Sequence, residues 1–352
     1  MAELSRRGFA ALALAALPAS AGAAEAVAAL NITENPFGPS DAARRAMAEA
    51  VTHVEHYPHQ EEMRLMEVIA KANGVTPAHV AISTGALEPL AMMSSFWTKG
   101  GVQLAPALTY DTHIKYAERV GQGTRRIAMA PDQQIDLAAM AAGLGPDVKL
   151  VYVCNPNNPT GLLADRGRLR EFCVKAARTA PVIVDEAFID MTADPGAESV
   201  ADLVAAGHDV VVVGTFSKSY GLAAVRIGYC IAQPERARAI RMLLAPSRNG
   251  PGLAAAAVSY RDAAYLAASN RAMEEGRQVI YRACEAAKLS YLRSAGSYVW
   301  TNFRSLDAIK RLEAAGVLVR QFTGGAPGWA RVAVADPAAM KAFAKALPGA
   351  IA

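Results

Sequence analysis

The chain has 352 residues, 53% of them hydrophobic and 19% charged, with a formal net charge of +4. That length holds two domains and a large core. The small net charge, with no Lys/Arg run interleaved with aromatics, argues against a nucleic-acid binder. Four cysteines (Cys154, Cys173, Cys230, Cys284) stand far apart and show no CxxC or Cys/His ligand spacing.

In chain order, residues 1–24 come first and have the layout of a bacterial twin-arginine export signal. Arg6 and Arg7 follow Ser5, Phe9 stands close behind, an Ala/Leu run follows, and Ala21-Gly22-Ala23 is a possible cleavage site. The run is short and interrupted by Pro18, so it is weak as a membrane anchor. An exported, periplasmic protein is the expectation. Residues 25–44 read as an arm joining a small domain. His53, His56 and His59 sit in a polar segment that reads as a solvated loop rather than a metal site.

Residues 45–246 read as the large domain. Leu150 to Cys154, Ala180 to Val184 and Val210 to Val213 are nearly all apolar, as strands buried on both faces are. The segments Asp165 to Ala180 and Glu198 to Gly207 repeat apolar residues at helical intervals. Strand and helix in alternation predict an α/β domain with a mostly parallel sheet flanked by helices. Residues 247–352 change texture, with helical segments near Gly252 to Ala268 and Ser269 to Lys288. Strand-like pieces at Ser297 to Phe303, Val317 to Phe322 and Ala330 to Ala335 and a last helix follow, so a smaller α+β domain is expected.

In open α/β sheets, ligands bind at the carboxyl ends of the strands. Three such ends here carry conspicuous polar residues: Asn155 to Gly161 (NPNNPTG), Asp185-Glu186, and Gly214 to Lys218 (GTFSK). An amide, a carboxylate and an amine converge without a histidine partner. An unpaired lysine at the exit of a buried strand is costly, unless Lys218 is bound as a Schiff base to an aldehyde cofactor. Desolvation and Arg226 would depress its pKa, as a proton-shuttling amine requires. Pyridoxal phosphate needs such a lysine and an acidic partner for its ring nitrogen, and Asp185 is the candidate. The plain alternatives are a surface lysine after a strand and, for Asp185-Glu186, a metal or capping site.

With these motifs in this order, the chain resembles the fold-type I pyridoxal-phosphate aminotransferases of class I/II, within them the histidinol-phosphate aminotransferase-like group. The resemblance spans about Leu30 to Leu347, and NPNNPTG and SKSYGLAAVRIGY (Ser217 to Tyr229) are its most specific parts. It implies pyridoxal 5′-phosphate as cofactor, an amino donor and a 2-oxo acid acceptor as substrates, and a homodimer with shared active sites. It further implies that Lys218 is the Schiff-base lysine, Asp185 the ring-nitrogen partner, and Tyr110 the aromatic stacked on the ring. Asn158 would meet the phenolic oxygen. Gly85, Ala86, Ser217 and Arg226 would hold the phosphate, with Tyr57 reaching it from the neighbouring subunit. Arg331 would take the substrate α-carboxylate, Asn35 would border the site, and Arg320 would meet a distal anionic group.

The departures lie on the substrate side. Phe188 stands where the family has tyrosine, and His113, read as structural, stands where it has a second tyrosine. The same Schiff base supports decarboxylation, racemisation or oxidation, so those remain the alternative to transamination. A non-catalytic ligand sensor is the distant third. An exported enzyme is badly placed for histidine biosynthesis, so histidinol phosphate is not expected to be the physiological substrate.

Overall fold

The computed structural model describes residues 27–352; the export signal expected at residues 1–24 lies outside them. The described chain opens on a short strand, β1 (Ala28–Ala29), and then builds a seven-stranded sheet. Its strands are β2 (Val80–Ser83), β3 (Val102–Pro106), β4 (Gly123–Ile127), β5 (Val148–Cys154), β6 (Val182–Asp185), β7 (Val210–Thr215) and β8 (Gly228–Ile231). They lie in the order β2-β8-β7-β6-β5-β3-β4. β4, β3, β5, β6 and β7 run parallel, and β8 is antiparallel to both of its neighbours.

Burial explains why β5, β6 and β7 are the strands that the pattern predicts. Val151, Val153, Val182, Val184, Val210 and Val212 face one core, while Leu150, Tyr152, Ile183, Val211 and Val213 face another. A strand covered on both faces has no polar alternation to display. Burying each valine of β7 is worth roughly 1.5–3 kcal/mol, so the strand end that carries Lys218 is firmly anchored. The edge strand β4, GTRRI, is only half-buried throughout. That mixed composition is why no strand was predicted there.

The smaller domain pairs β9 (Tyr298–Asn302) with β11 (Trp329–Ala333) antiparallel, and β10 (Val317–Leu318) with β1 in parallel. Its own core contains Leu30, Met273, Val299, Phe303, Leu312 and Phe343. Ala28 and Leu30 of the arm pack into this core.

Three boundaries shift. The arm ends at Ser40, whose hydroxyl caps the helix Asp41–Ala50 by accepting from the Ala43 N–H (3.1 Å), and Ala43 is buried in the large core. The helix Gly250–Ser259, assigned to the small domain by texture, packs Leu253, Ala255 and Ala256 into the large core. The domains therefore part along the helix Ala263–Ala286 rather than at residue 247. The break between the two helices falls at Tyr260–Asp262 rather than near residue 268: Arg261 takes a left-handed backbone (φ 57°), and Asp262 caps the next helix through the Tyr265 N–H (3.1 Å). An alanine-rich sequence has no apolar rhythm that marks such a break.

Candidate active site

A cavity of about 370 Å³ opens at the carboxyl ends of β5, β6 and β7, where β11 and the arm close over them. Lys218, Asp185, Asn158, Ser217, Arg226, Tyr110, Ala86, Arg331 and Arg320 all line it. Long-range packing alone unites residues that span more than two hundred positions.

β6 ends in Asp185, which is 3% exposed. The Ala187 N–H donates to its Oδ1 (3.1 Å) and the Tyr152 hydroxyl to its Oδ2 (3.0 Å). Burial pushes its carboxyl up to about 6, against the pull of these donors and of the Lys218 charge. Past the end of β7, Lys218 directs its amine into the cavity. Its Nζ donates to the Thr33 carbonyl (2.6 Å) and hydroxyl (3.1 Å) and lies 5.8 Å from the centre of the Phe188 ring. Burial brings the amine down to about 8, and the Arg331 and Arg226 charges push the same way. Depression by desolvation and Arg226 was expected; the contribution of Arg331, 113 positions away by residue number, was not.

At the other end, Arg226 donates through Nη1 to the Ser217 hydroxyl (3.2 Å) and the Ala223 carbonyl (2.9 Å). Its backbone is left-handed (φ 56°), as is that of Gly85 (φ 72°). A Cβ at Gly85 would collide with the Arg226 guanidinium, so the glycine is required for the arginine to sit there. Ala86 then opens the helix Leu87–Trp97, whose start has no side-chain cap among the described residues. Uncapped N–H groups, a guanidinium and two hydroxyls (Ser217 and Thr215, 3.0 Å apart) make an anion cradle.

Arg331, 2% exposed, donates from Nη1 to the Asn158 side-chain oxygen (2.9 Å) and from Nη2 to the Asn31 carbonyl (2.8 Å). Its buried Nε has no partner among the described residues. Burial lowers its pKa to about 10. Arg320 is paired with it through the backbone, and both guanidinium groups lie about one ring, Phe322, at 5.2 and 5.1 Å from its centre.

Three expected site residues do not line this cavity: Gly85, which backs the Arg226 guanidinium, Asn35 and Tyr57. Asn35 spends its side chain inside the fold: Nδ2 donates to the Ser219 carbonyl (3.0 Å), the Ser269 hydroxyl (2.9 Å) and the Tyr265 hydroxyl (3.2 Å), and Oδ1 accepts from the Phe37 N–H (3.0 Å). It ties the arm to the Lys218 loop instead of facing substrate. Tyr57 is 76% exposed and lies on a separate surface groove with Val54 and Arg248. The arm's cavity residues are Ile32, Thr33 and Glu34, which motif reading passed over although they flank Asn35. His113 is fully buried and held neutral, its pKa brought down by burial to about 3. Phe188 is buried edge-on against Tyr298 (5.0 Å) and presents no hydrogen-bond donor. His53 and His56 are exposed, and no metal-binding cluster occurs among the described residues.

The residues present fit pyridoxal phosphate. The cradle of Ser217, Arg226 and the helix start suits its phosphate, and Asp185 at the floor suits its ring nitrogen. Tyr110 suits the ring face, Asn158 the phenolic oxygen and Lys218 the aldehyde. Arg331 lines the cavity and gives one N–H from each terminal nitrogen to the protein, which leaves a second N–H on each for a substrate carboxylate.

Comparison with known proteins agrees. The model of the family described as aminotransferase class I and II matches residues 25–347. A histidinol-phosphate aminotransferase of Moorella thermoacetica is 32% identical over 82% of this chain and 75% of its own. An aromatic amino acid aminotransferase of Thermobifida fusca is 30% identical over 84% of each. The crystal structure of the Sinorhizobium meliloti histidinol-phosphate aminotransferase in complex with pyridoxal-5′-phosphate superimposes with a TM-score of 0.82. It is 27% identical, covering 92% of this chain and 91% of that one. Lysine, carboxylate, anion cradle and family match converge, and the chain belongs to the class I and II aminotransferases, as a fold-type I, pyridoxal-phosphate-dependent transaminase.

Proposed function

We propose that this transaminase is an exported homodimer that takes its amino group from an acidic or otherwise anionic amino donor other than histidinol phosphate and passes it to a 2-oxo acid. One observation carries the substrate reading. Four cations (Lys218, Arg226, Arg320, Arg331) line the cavity against two carboxylates, Glu34 and Asp185. With Arg226 on the cofactor phosphate and Arg331 on the α-carboxylate, the Arg320 charge is left for a second anionic group.

Bound pyridoxal phosphate supplies an electron sink for the charge that develops at the substrate α-carbon. The chain does the rest. Arg331 grips the carboxylate and orients the α-carbon, and Tyr110 covers the ring. Lys218 Nζ, with its depressed pKa, removes the α-proton and carries it. Asp185 keeps the ring nitrogen protonated. Turnover with a panel of donors tests the reading: preference for an acidic donor supports it, and a clear preference for histidinol phosphate overturns it. Phe188, which offers no hydroxyl, favours a second reading in which the same site decarboxylates, racemises or oxidises. Product released without a 2-oxo acid acceptor would establish that chemistry.

Export rests on the twin arginine, Arg6-Arg7; the Arg6→Lys, Arg7→Lys protein should stay in the cytoplasmic fraction. No helix of the described residues is long and apolar enough to cross a membrane. The dimer is supported by exposed apolar side chains near the Tyr57 groove, Val51 (56%), Val54 (65%) and Met63 (62%). Sedimentation of the holoenzyme as a monomer at micromolar concentration would remove that part of the proposal.

A further inference from the structure

We propose that Tyr152 is a positioning residue for the reaction: its hydroxyl, steered by a buried Ser94–His113 pair, holds the Asp185 carboxylate ionised and in one plane facing the cavity. The inference rests on Asp185 being the ring-nitrogen partner, and it goes beyond that role by naming what sets Asp185.

Tyr152 is fully buried on β5, beside β6, with Tyr152 opposite Ile183 and Cys154 opposite Asp185. Side chains two apart on a strand share a face, so the phenol leans one pair along to reach Asp185 Oδ2 (3.0 Å). The Ala187 N–H takes Oδ1. One donor on each oxygen fixes the plane of the carboxylate, while Asp185 still lines the cavity.

Behind the phenol stands His113, its ring edge-on to Tyr152 with centres 4.3 Å apart and planes at 61°. His113 Nδ1 is 2.8 Å from the Ser94 hydroxyl on the helix Leu87–Trp97, and both residues are fully buried. A polar pair in an apolar core costs free energy that an apolar pair would not. Here the pair orients one aromatic ring, and that ring orients the one carboxylate at the cavity floor.

The groups that face Asp185 allow no substitute. Tyr110, Cys154, Cys230 and Tyr298 feel its charge, and burial raises each of their pKa values, so they stay neutral. Lys218 supplies the cationic charge, and the Ala187 N–H and Tyr152 supply the hydrogen bonds. Burial, then the Asp185 charge, push the Tyr152 phenol well above the usual range, so it remains a donor at every working pH. His113 is neutral, and it contributes orientation rather than charge.

The test compares the wild-type, Tyr152→Phe and His113→Phe holoenzymes. Two quantities are read against pH: kcat/KM for the amino-donor half-reaction, and pyridoxal-phosphate affinity of the cofactor-stripped protein by fluorescence. Losing one hydrogen bond to a charged group moves a pKa by about one to two units. Tyr152→Phe should therefore shift the acid limb of both profiles upward by about one pH unit, with donor KM within about twofold. His113→Phe should shift them the same way by less. A merely structural role would lower the melting temperature and the rate at all pH values and leave the limbs in place; that result overturns the proposal. Should Tyr152→Phe fail to fold, Ser94→Ala and His113→Phe carry the test, and unmoved limbs in both overturn it. Asp185→Asn separates the layers: a fully active Asp185→Asn protein sinks the role of Asp185 itself, whereas an inactive one beside an unaltered Tyr152→Phe sinks only this inference.

Discussion

Replacing Arg331 by lysine keeps the charge and removes the planar fork. In the wild type, Nη1 and Nη2 each give one N–H to Asn158 and the Asn31 carbonyl, which hold the guanidinium still and leave a second N–H on each for a carboxylate. A lysine ammonium is a point charge and cannot satisfy Asn158, Asn31 and a carboxylate in the same geometry. A hydrogen bond to a charged group contributes about 1.5–3 kcal/mol. Losing one to the substrate and weakening the Asn158 contact therefore costs about 2–4 kcal/mol. At roughly 1.4 kcal/mol per tenfold, kcat/KM for the amino donor should fall about 30- to 1000-fold. Because the carboxylate is held before and during reaction, most of the loss should appear in KM. Stopped-flow measurement of the half-reaction against donor concentration reads both terms. Arg320→Lys is the internal comparison, since Arg320 is exposed and stacks on Phe322, and its guanidinium makes no hydrogen bond among the described residues. It should cost less than about 1 kcal/mol, or under about fivefold. Arg331→Lys within threefold of wild type, or Arg320→Lys the more damaging of the two, would refute the reasoning.

Three further outcomes follow from the same geometry. With its pKa brought down to about 8, Lys218 in the cofactor-stripped protein should acylate half-maximally near pH 8 while surface lysines lag, a difference that peptide mass mapping reads. Glu186 is buried, accepts from the Ser199 hydroxyl (2.7 Å) and the Val200 N–H (2.8 Å), and has its carboxyl raised by burial from 4.5 to about 7. A carboxyl raised in the folded state makes the native protein bind the extra proton, so stability falls as pH rises from about 4.5 to 7, by about 3 kcal/mol. Urea melts of Glu186→Gln should show a flatter profile across that window, and an unchanged slope would count against this origin. Gly85→Ala places a methyl group against the Arg226 guanidinium on a left-handed backbone, so pyridoxal-phosphate affinity should weaken about 5- to 30-fold, the size of about 1–2 kcal/mol of strain.

The fold was legible where burial writes a plain pattern. β5, β6 and β7 read as strands because both of their faces are covered, whereas β4 did not because half-buried edge positions tolerate arginine. The helix Gly250–Ser259 was given to the wrong domain for a related reason. Periodicity marks which face of a helix is buried, and which core it enters depends on the helix Asp41–Ala50, some two hundred residues earlier.

By itself the sequence determined the candidate pyridoxal-phosphate residues and left open which reaction they serve. Lys218, Asp185, Asn158 and Arg226 stand at strand ends or in short motifs whose spacing is local, and local spacing survives in one dimension. Only the tertiary structure decided who supports them. Lys218 meets Thr33 across 185 positions and Arg331 meets Asn31 across 300. Asn35 turns inward to Ser219 and Ser269, and Tyr152 reaches Asp185 from the neighbouring strand. Contacts of that separation are set by how the sheet and the two cores pack, and no local run of residues encodes them.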